Sequence, residues 1–362
     1  MEIIDKTTDR MKSFLLFCLY SSILSLGVLA GSCGLESVGV YVVPDAAPNH
    51  SLSTAATADE AVPANASASS NKGGSAFEVT GYLPDYQIAN VKPSVARYLT
   101  DLVFFSFAPT RNGDFTRDVM TPSEFAFLKE VKRRYGTRIL LGLSEHRSGG
   151  ALATISERKP LREKFAVSLA DYLLKQGFDG VDIDWEYPTD TENAQFAVLL
   201  QQIHSIFAPL GLRLTVAVSP SHPLTREAYA EVDRIHVMAY DDWGRHSTLS
   251  EAADDIQAFE EQGAVASKLQ LGVPFYGRGY REDGPSWNDA VSYRTLQARY
   301  SPGPGEDTVS GYYFNGIDTV REKVRLAKAE GLAGVMVWEI GQDTTGRTSL
   351  LRAISQTRAT FN

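Results

Sequence analysis

The chain has 362 residues, 43% hydrophobic and 22% charged, the balance of a globular protein with a substantial core. A net charge of -9 and a sequence pI near 5.3, with no basic cluster, argue against nucleic acid and anionic membrane surfaces as partners. Cys18 and Cys33 are the only cysteines, so nothing beyond residue 33 can rest on disulfides or a cysteine metal site.

Residues 1–33 read as a signal peptide or as a membrane or lipid anchor. An apolar run at 14–31 follows Lys6, Arg10 and Lys12, and small residues Ala30, Gly31 and Ser32 come next. Eighteen residues sit at the lower limit for spanning a bilayer. Leu-Ala-Gly-Ser-Cys33 resembles a bacterial lipoprotein processing site, with Ala30 where a leucine is usual, which makes Cys33 a candidate lipid attachment point. Residues 34–76 are expected to form a disordered tether, since the Ala, Ser, Asn and Pro composition from residue 44 cannot bury enough apolar surface to fold. The tether holds the sequons Asn49-His50-Ser51 and Asn65-Ala66-Ser67.

From residue 77 onward, short apolar runs alternate with helical patterns. Strands are expected at 77–82, 102–108, 138–143, 180–184, 212–219, 234–240, 269–274 and 334–338. Helices are expected at 122–135, 160–175, 191–209 and 317–330. Thr121 as N-cap, Pro122 at the first helical position and Glu124 as capping-box partner start the first of these; Gly177 and Gly331 are stop signals. Eight strands alternating with helices over residues 77–362 predict an α/β fold, a (β/α)8 TIM barrel, ahead of an open doubly wound sheet. The barrel is preferred because polar and aromatic residues gather where the strands end.

One stretch breaks the rules of a buried strand. Asp182, Asp184 and Glu186 alternate with Val181, Ile183 and Trp185, so the three carboxylates project from one face, about 6.5 Å apart along the strand. Burying like charges side by side costs free energy and raises each pKa, which marks a site rather than a scaffold. A solvated edge strand does not fit the apolar flanks, and a calcium loop counted from Asp179 lacks the required glycine, because its sixth position is Asp184.

The segment Phe178-Asp179-Gly180-Val181-Asp182-Ile183-Asp184-Trp185-Glu186-Tyr187-Pro188 resembles the signature of glycoside hydrolase family 18, which contains chitinases and endo-β-N-acetylglucosaminidases. Val79-Thr80-Gly81-Tyr82, the runs from Leu102, Val237 and Leu271, and Gly334-Val335-Met336-Val337-Trp338-Glu339 resemble other strands of that family, in order. The resemblance implies substrate-assisted hydrolysis of β-1,4-linked N-acetylglucosamine glycans, without a cofactor or metal. It implies Glu186 as acid and base, Asp184 as partner of the acetamido group, Asp182 as its tuner and Tyr240 as a donor to the acetamido oxygen. Trp338 is expected under the cleaved sugar, because flat rings offer apolar area to pyranose faces. Tyr82, Phe107, Met238 and Tyr276 are expected as pocket wall, and Trp243 and Trp287 in loops as outer contacts. Asp241 is a substrate contact or a loop cap; Arg278 contacts substrate or pairs with a carboxylate. Trp185 should face the helices, and Asp179, of the other parity, should be structural.

Two departures from the family pattern matter. The third strand usually ends Ser-x-Gly-Gly, with the serine supporting the inner aspartate; here Gly142 holds the serine position and Ser144-Glu145 the glycine pair, which brings Glu145 and His146 toward the mouth. Between the seventh and eighth strands the family's α+β insertion is expected to be short or absent. A secreted or envelope-anchored hydrolase, monomeric, is the leading expectation; an inactive lectin of the same fold is the alternative, against which Glu186 speaks. No phosphate loop or Ser-His-Asp pattern competes, and the six histidines show no metal-ligand spacing.

Overall fold

Eight of the chain's apolar runs become parallel strands that close on one another. The computed structural model describes residues 77–115, 120–281 and 284–361. The expected signal or anchor, Cys33 and the tether with its sequons lie outside the described residues.

The barrel strands are β1 (Glu78–Pro84), β2 (Asp101–Phe107), β3 (Arg138–Ser144), β4 (Gly180–Asp184), β5 (Arg213–Val218), β6 (Arg234–Val237), β7 (Leu269–Pro274) and, after an insertion, β12 (Gly334–Trp338). They close in the order β1-β12-β7-β6-β5-β4-β3-β2, all parallel, so the fold is a (β/α)8 barrel. Their outward residues, such as Val181, Ile183, Leu214 and Val335, are fully or nearly fully buried against the surrounding helices. The helix Pro122–Tyr135 starts with the capping box of Thr121 and Glu124, and Gly136 ends it at φ 68°. The helices Lys159–Gln176 and Asp190–Leu210 extend the expected ones by a residue at each end.

The insertion is present and short. Strands β8 (Tyr276–Arg281), β9 (Gly284–Ser292), β10 (Thr308–Val309) and β11 (Tyr312–Tyr313) form an antiparallel sheet in the order β10-β11-β8-β9, with the helix Tyr293–Tyr300 between β9 and β10. Trp287, expected in a loop, falls within β9; its side chain lies outside the described residues.

The two ends of the barrel carry opposite arrangements. At the N-terminal end, Glu78, Asp101, Arg138, Arg213 and Arg234 each begin a strand. Glu78 receives Arg213 Nη2 and Arg234 Nε, each at 2.7 Å, and Gln270 Nε2 at 3.0 Å. Asp101 receives Arg138 Nε at 2.6 Å and Arg213 Nη1 at 3.2 Å. This ring of two acids and three arginines closes the bottom. A small apolar cluster of Tyr82, Val103, Leu140 and Met336 fills the barrel above it, with Phe105, Met238, Tyr240 and Trp338 packed on top. At the C-terminal end, where these last residues point, the acid row emerges.

Candidate active site

The acid row follows the pleat of β4. Asp182 is fully buried, Asp184 is 5% exposed, and Glu186, just past the strand, meets solvent. Trp185 turns the other way and packs its ring on Phe196 at 5.1 Å. Asp179 ties neighbouring elements together: its carboxylate accepts from Ile139 N and Lys132 Nζ, each at 2.8 Å.

Asp182 is gripped from three strands. Tyr82 on β1 donates its hydroxyl to Oδ2 at 2.7 Å. Thr215, the register partner on β5, donates to Oδ1 at 2.5 Å. His236 on β6 places Nδ1 3.0 Å from Oδ1 and 2.7 Å from the Tyr82 hydroxyl. Gly142, the register partner on β3, contributes no side chain. A Cβ there would lie 2.7 Å from Phe105 Cδ2 and 3.1 Å from Val103 Cγ1, so the Phe105 ring fills that space.

Asp184 is bonded to Glu186 by a carboxyl–carboxyl hydrogen bond. Burial, then the charges of Glu186 and Asp182, hold its carboxyl well above the usual range. Its Oδ1 is buried with no partner among the described residues. Glu186 is also raised. The protein packed around its barrel side strips water from the carboxyl, and Asp241 adds a like charge; the Tyr187 hydroxyl and His146 pull the other way. The Tyr240 hydroxyl, 4.0 Å from Met336 Sδ, stays protonated because burial and four nearby carboxyls oppose its ionisation.

Asp241 follows Tyr240 at φ 66°, a left-handed conformation that aspartate tolerates better than most residues. Arg278 grips it with two bonds, Nε at 2.5 Å and Nη2 at 2.7 Å, and the Tyr276 hydroxyl adds a third at 2.7 Å. Burial raises the Asp241 carboxyl, but His246 and the Arg278 guanidinium hold it below the usual range. Trp338 ends β12 with its ring 5.5 Å from Tyr82 and 5.3 Å from Phe105.

Residues 78–343 match the family described as Glycosyl hydrolases family 18. The chain belongs to that family. This family 18 protein is a glycoside hydrolase, and known proteins resemble it along most of the barrel. It is 25% identical over 340 residues to Chitinase 1 of Aphanocladium album, covering 78% of this chain and 79% of that one. A chitinase from Bacteroides thetaiotaomicron shares the fold with a TM-score of 0.70 at 22% identity, covering 78% of this chain and 96% of that one. A chitinase-like agglutinin from Robinia pseudoacacia also shares it, with a TM-score of 0.65 at 22% identity, covering 77% and 98%. Enzymes and an agglutinin stand on the same scaffold, so catalysis must be argued from the site.

Several expected site residues of the hydrolase occupy other places than the sequence predicts. Phe107 does not line the pocket. A register shift between Phe105 and Phe107 turns it outward against Phe104 and Phe115, and Phe105 takes the inner position. Tyr82 is 2% exposed with its hydroxyl on Asp182, which makes it a support beneath the pocket. Tyr276 and Arg278 are buried and serve Asp241. Glu145 does not enter the mouth: its carboxylate accepts from Leu152 N at 3.0 Å and from Ser148 Oγ, capping the helix Ala151–Glu157. His146 is exposed. Met238, Tyr240 and Trp338 are half-buried around the inner cluster, and Trp243 is 51% exposed beyond β6. Thr215, His236, Phe105 and Tyr187 were missed as site residues. The signal for His236 was available: it shares the parity of Met238 and Tyr240 in an otherwise apolar strand.

Proposed function

We propose that this family 18 hydrolase cleaves β-1,4-linked N-acetylglucosamine glycans, chitin or its oligomers foremost, with retention at the anomeric carbon. Family 18 departs from the two-carboxylate scheme in using the substrate itself. In that mechanism the 2-acetamido oxygen of the substrate attacks the anomeric carbon as the bond to the leaving sugar breaks. Glu186 gives its proton to the leaving oxygen, and water then opens the oxazolinium ion with Glu186 as base. Asp184 accepts the acetamido N–H and faces the positive charge; Tyr240 donates to the acetamido oxygen; Asp182 tunes Asp184. Trp338 lies under the sugar, with Met238 beside it and Trp243 farther out along the chain.

The observation that carries this reading is the pairing at the end of β4. Asp184 and Glu186 leave β4 on one face, burial holds both carboxyls above their ordinary range, and the buried Oδ1 of Asp184 has no partner among the described residues. An unpaired buried acceptor costs about 1–3 kcal/mol, and a substrate N–H would relieve it. An ordinary exposed glutamate would titrate near about 4.3 and make a poor acid at neutral pH.

The fold-sharing agglutinin keeps one other reading in view, a sugar-binding protein without turnover. Release of a fluorogenic group from an N,N′-diacetylchitobioside separates the two. Turnover is expected, and Glu186→Gln is expected to lower kcat by about 10²–10⁴-fold with binding kept. Tight binding without turnover by the unmodified protein would establish the lectin reading instead. Product analysis on chitin oligomers, a high-mannose glycopeptide and peptidoglycan selects the substrate. We assign the protein to an extracytoplasmic site as a monomer, with residues 1–33 as a cleaved export signal or an anchor, and Cys33 as the candidate lipid attachment point in the anchored form. The support is the sequence pattern there; among the described residues no helix is long and apolar enough to cross a membrane.

A further inference from the structure

We propose that His236 is a positioning residue of the acid row: with Tyr82 and Thr215 it occupies both oxygens of Asp182, and so leaves Asp184 turned to Glu186. The inference rests on the reading of Asp184 and Glu186 as the reacting pair.

A carboxylate offers two oxygens, and Asp182, with no solvent access, must satisfy both within the protein. Its Oδ2 takes the Tyr82 hydroxyl, and its Oδ1 takes Thr215 Oγ1 and faces His236 Nδ1. Tyr82 has one proton, spent on Asp182, so the 2.7 Å contact between its oxygen and Nδ1 needs the hydrogen on Nδ1. That same N–H points between the Tyr82 oxygen and Asp182 Oδ1. His236 therefore carries its proton on Nδ1 and braces both the carboxylate and the hydroxyl that holds it.

The rest of the surroundings fit that placement. His236 is 1% exposed, and its ring meets Tyr82 edge-on at 5.6 Å. Its register partners are Ala217 on β5 and Gln270 on β7, and Gln270 turns its amide nitrogen to Glu78. Asp182, Tyr82 and Thr215 are the polar groups described around it on β4, β1 and β5. On β3 the register partner Gly142 offers Asp182 no side chain, and the Phe105 ring fills the space beside it. Without the imidazole, the Tyr82 hydroxyl would lose its 2.7 Å partner and Asp182 Oδ1 a polar neighbour at 3.0 Å. Asp184, the next carboxyl along the strand, held well above the usual range by burial and by Glu186 and Asp182, is then the nearest replacement. Turning to Asp182 would cost Glu186 its hydrogen-bond donor and move the group that meets the acetamido N–H.

Three variants and one measurement on the unmodified protein test this. His236→Asn keeps an amide donor at the Nδ1 position; His236→Gln moves the donor to the Nε2 position; His236→Ala removes it. For chitobioside cleavage, Ala and Gln are expected to lower kcat by about 10–100-fold, the scale of a small misplacement at the reacting atoms, with KM within about two-fold. The alkaline limb of kcat/KM is expected to move to higher pH in both, since Glu186 holds its proton more tightly once Asp184 stops donating to it. Asn is expected to keep most of kcat and the limb. If all three variants keep wild-type kcat and pH profile, or if Asn and Gln fall equally, the positioning role is overturned. Should the variants fail to fold, ¹⁵N NMR of the wild-type histidines decides: a protonated Nδ1 on His236 is expected, and a bare Nδ1 overturns the proposal. If the unmodified protein turns over no substrate, the glycosidase reading fails, and the NMR result still decides where the proton sits.

Discussion

Gly142 shows what one residue can hide. The sequence displays the loss of a serine beside Asp182, but not that Phe105 has taken the space and that Tyr82, Thr215 and His236 have taken the hydrogen bonds. Restoring the serine should therefore harm the protein. Gly142→Ser is expected to cost about 1–3 kcal/mol in urea unfolding, because the new Cβ would press on the Phe105 ring. Adding Phe105→Leu should recover part of that cost. Lys323 makes a second prediction at this scale. Its side chain is fully buried, bonded to Ser247 Oγ at 2.5 Å, and burial pushes its ammonium down to about 8 against the pull of Asp255, Asp242, Glu251 and Asp307. Between that value and the ordinary one near 10.4, the unfolded chain binds more protons, so this lysine's contribution makes stability rise with pH. Lys323→Met should be more stable than wild type at pH 7, by the order of 1–3 kcal/mol, with the gap closing toward pH 10. A gap independent of pH would show that the lysine is not the cause. The acids themselves were legible, because a period of two fixes their direction whatever surrounds them. Their partners were not, since hydrogen bonds between β1, β4, β5 and β6 join residues far apart in sequence.

At the scale of elements, the strands were readable because buried parallel strands are short apolar runs. β4, β7 and β12 have the bounds that their sequences predict. β6 ends at Val237, earlier than expected, because Met238, Ala239 and Tyr240 leave the ladder to form the wall of the mouth. The register shift in β2 was invisible, and it moved Phe107 to the wrong face in the reading. The charged residues that begin β1, β2, β3, β5 and β6 gave no sign of a common role until closure brought them together. Glu78→Gln tests that ring. Glu78 is largely buried, and removing its charge strands Arg213 and Arg234, so a loss of about 2–4 kcal/mol in urea unfolding is expected. Burial raises the Glu78 carboxyl, but Arg234 and Arg213 prevail and hold it below its ordinary value. Its contribution is thus full above the unfolded pKa and lost as pH falls through the folded one. The acid limb of stability should be flatter in the variant than in wild type; parallel limbs would contradict the role.

The whole molecule divides its charges by end. At the bottom, acids meet arginines; at the top, Asp182, Asp184 and Glu186 stand in one row. The eight-stranded barrel keeps the two apart with a dry layer of Tyr82, Val103, Leu140 and Met336. That separation gathers Asp184, Glu186, Tyr240 and Trp338, the residues of the proposed reaction, around the C-terminal ends of β4, β6 and β12. The central claim is that the substrate's acetamido group is the nucleophile beside Asp184, with Glu186 as acid and base. Proton NMR of the first products from a chitin tetramer tests this most directly. The account predicts that the new reducing end appears first as the β-anomer and then mutarotates. Initial formation of the α-anomer would contradict it.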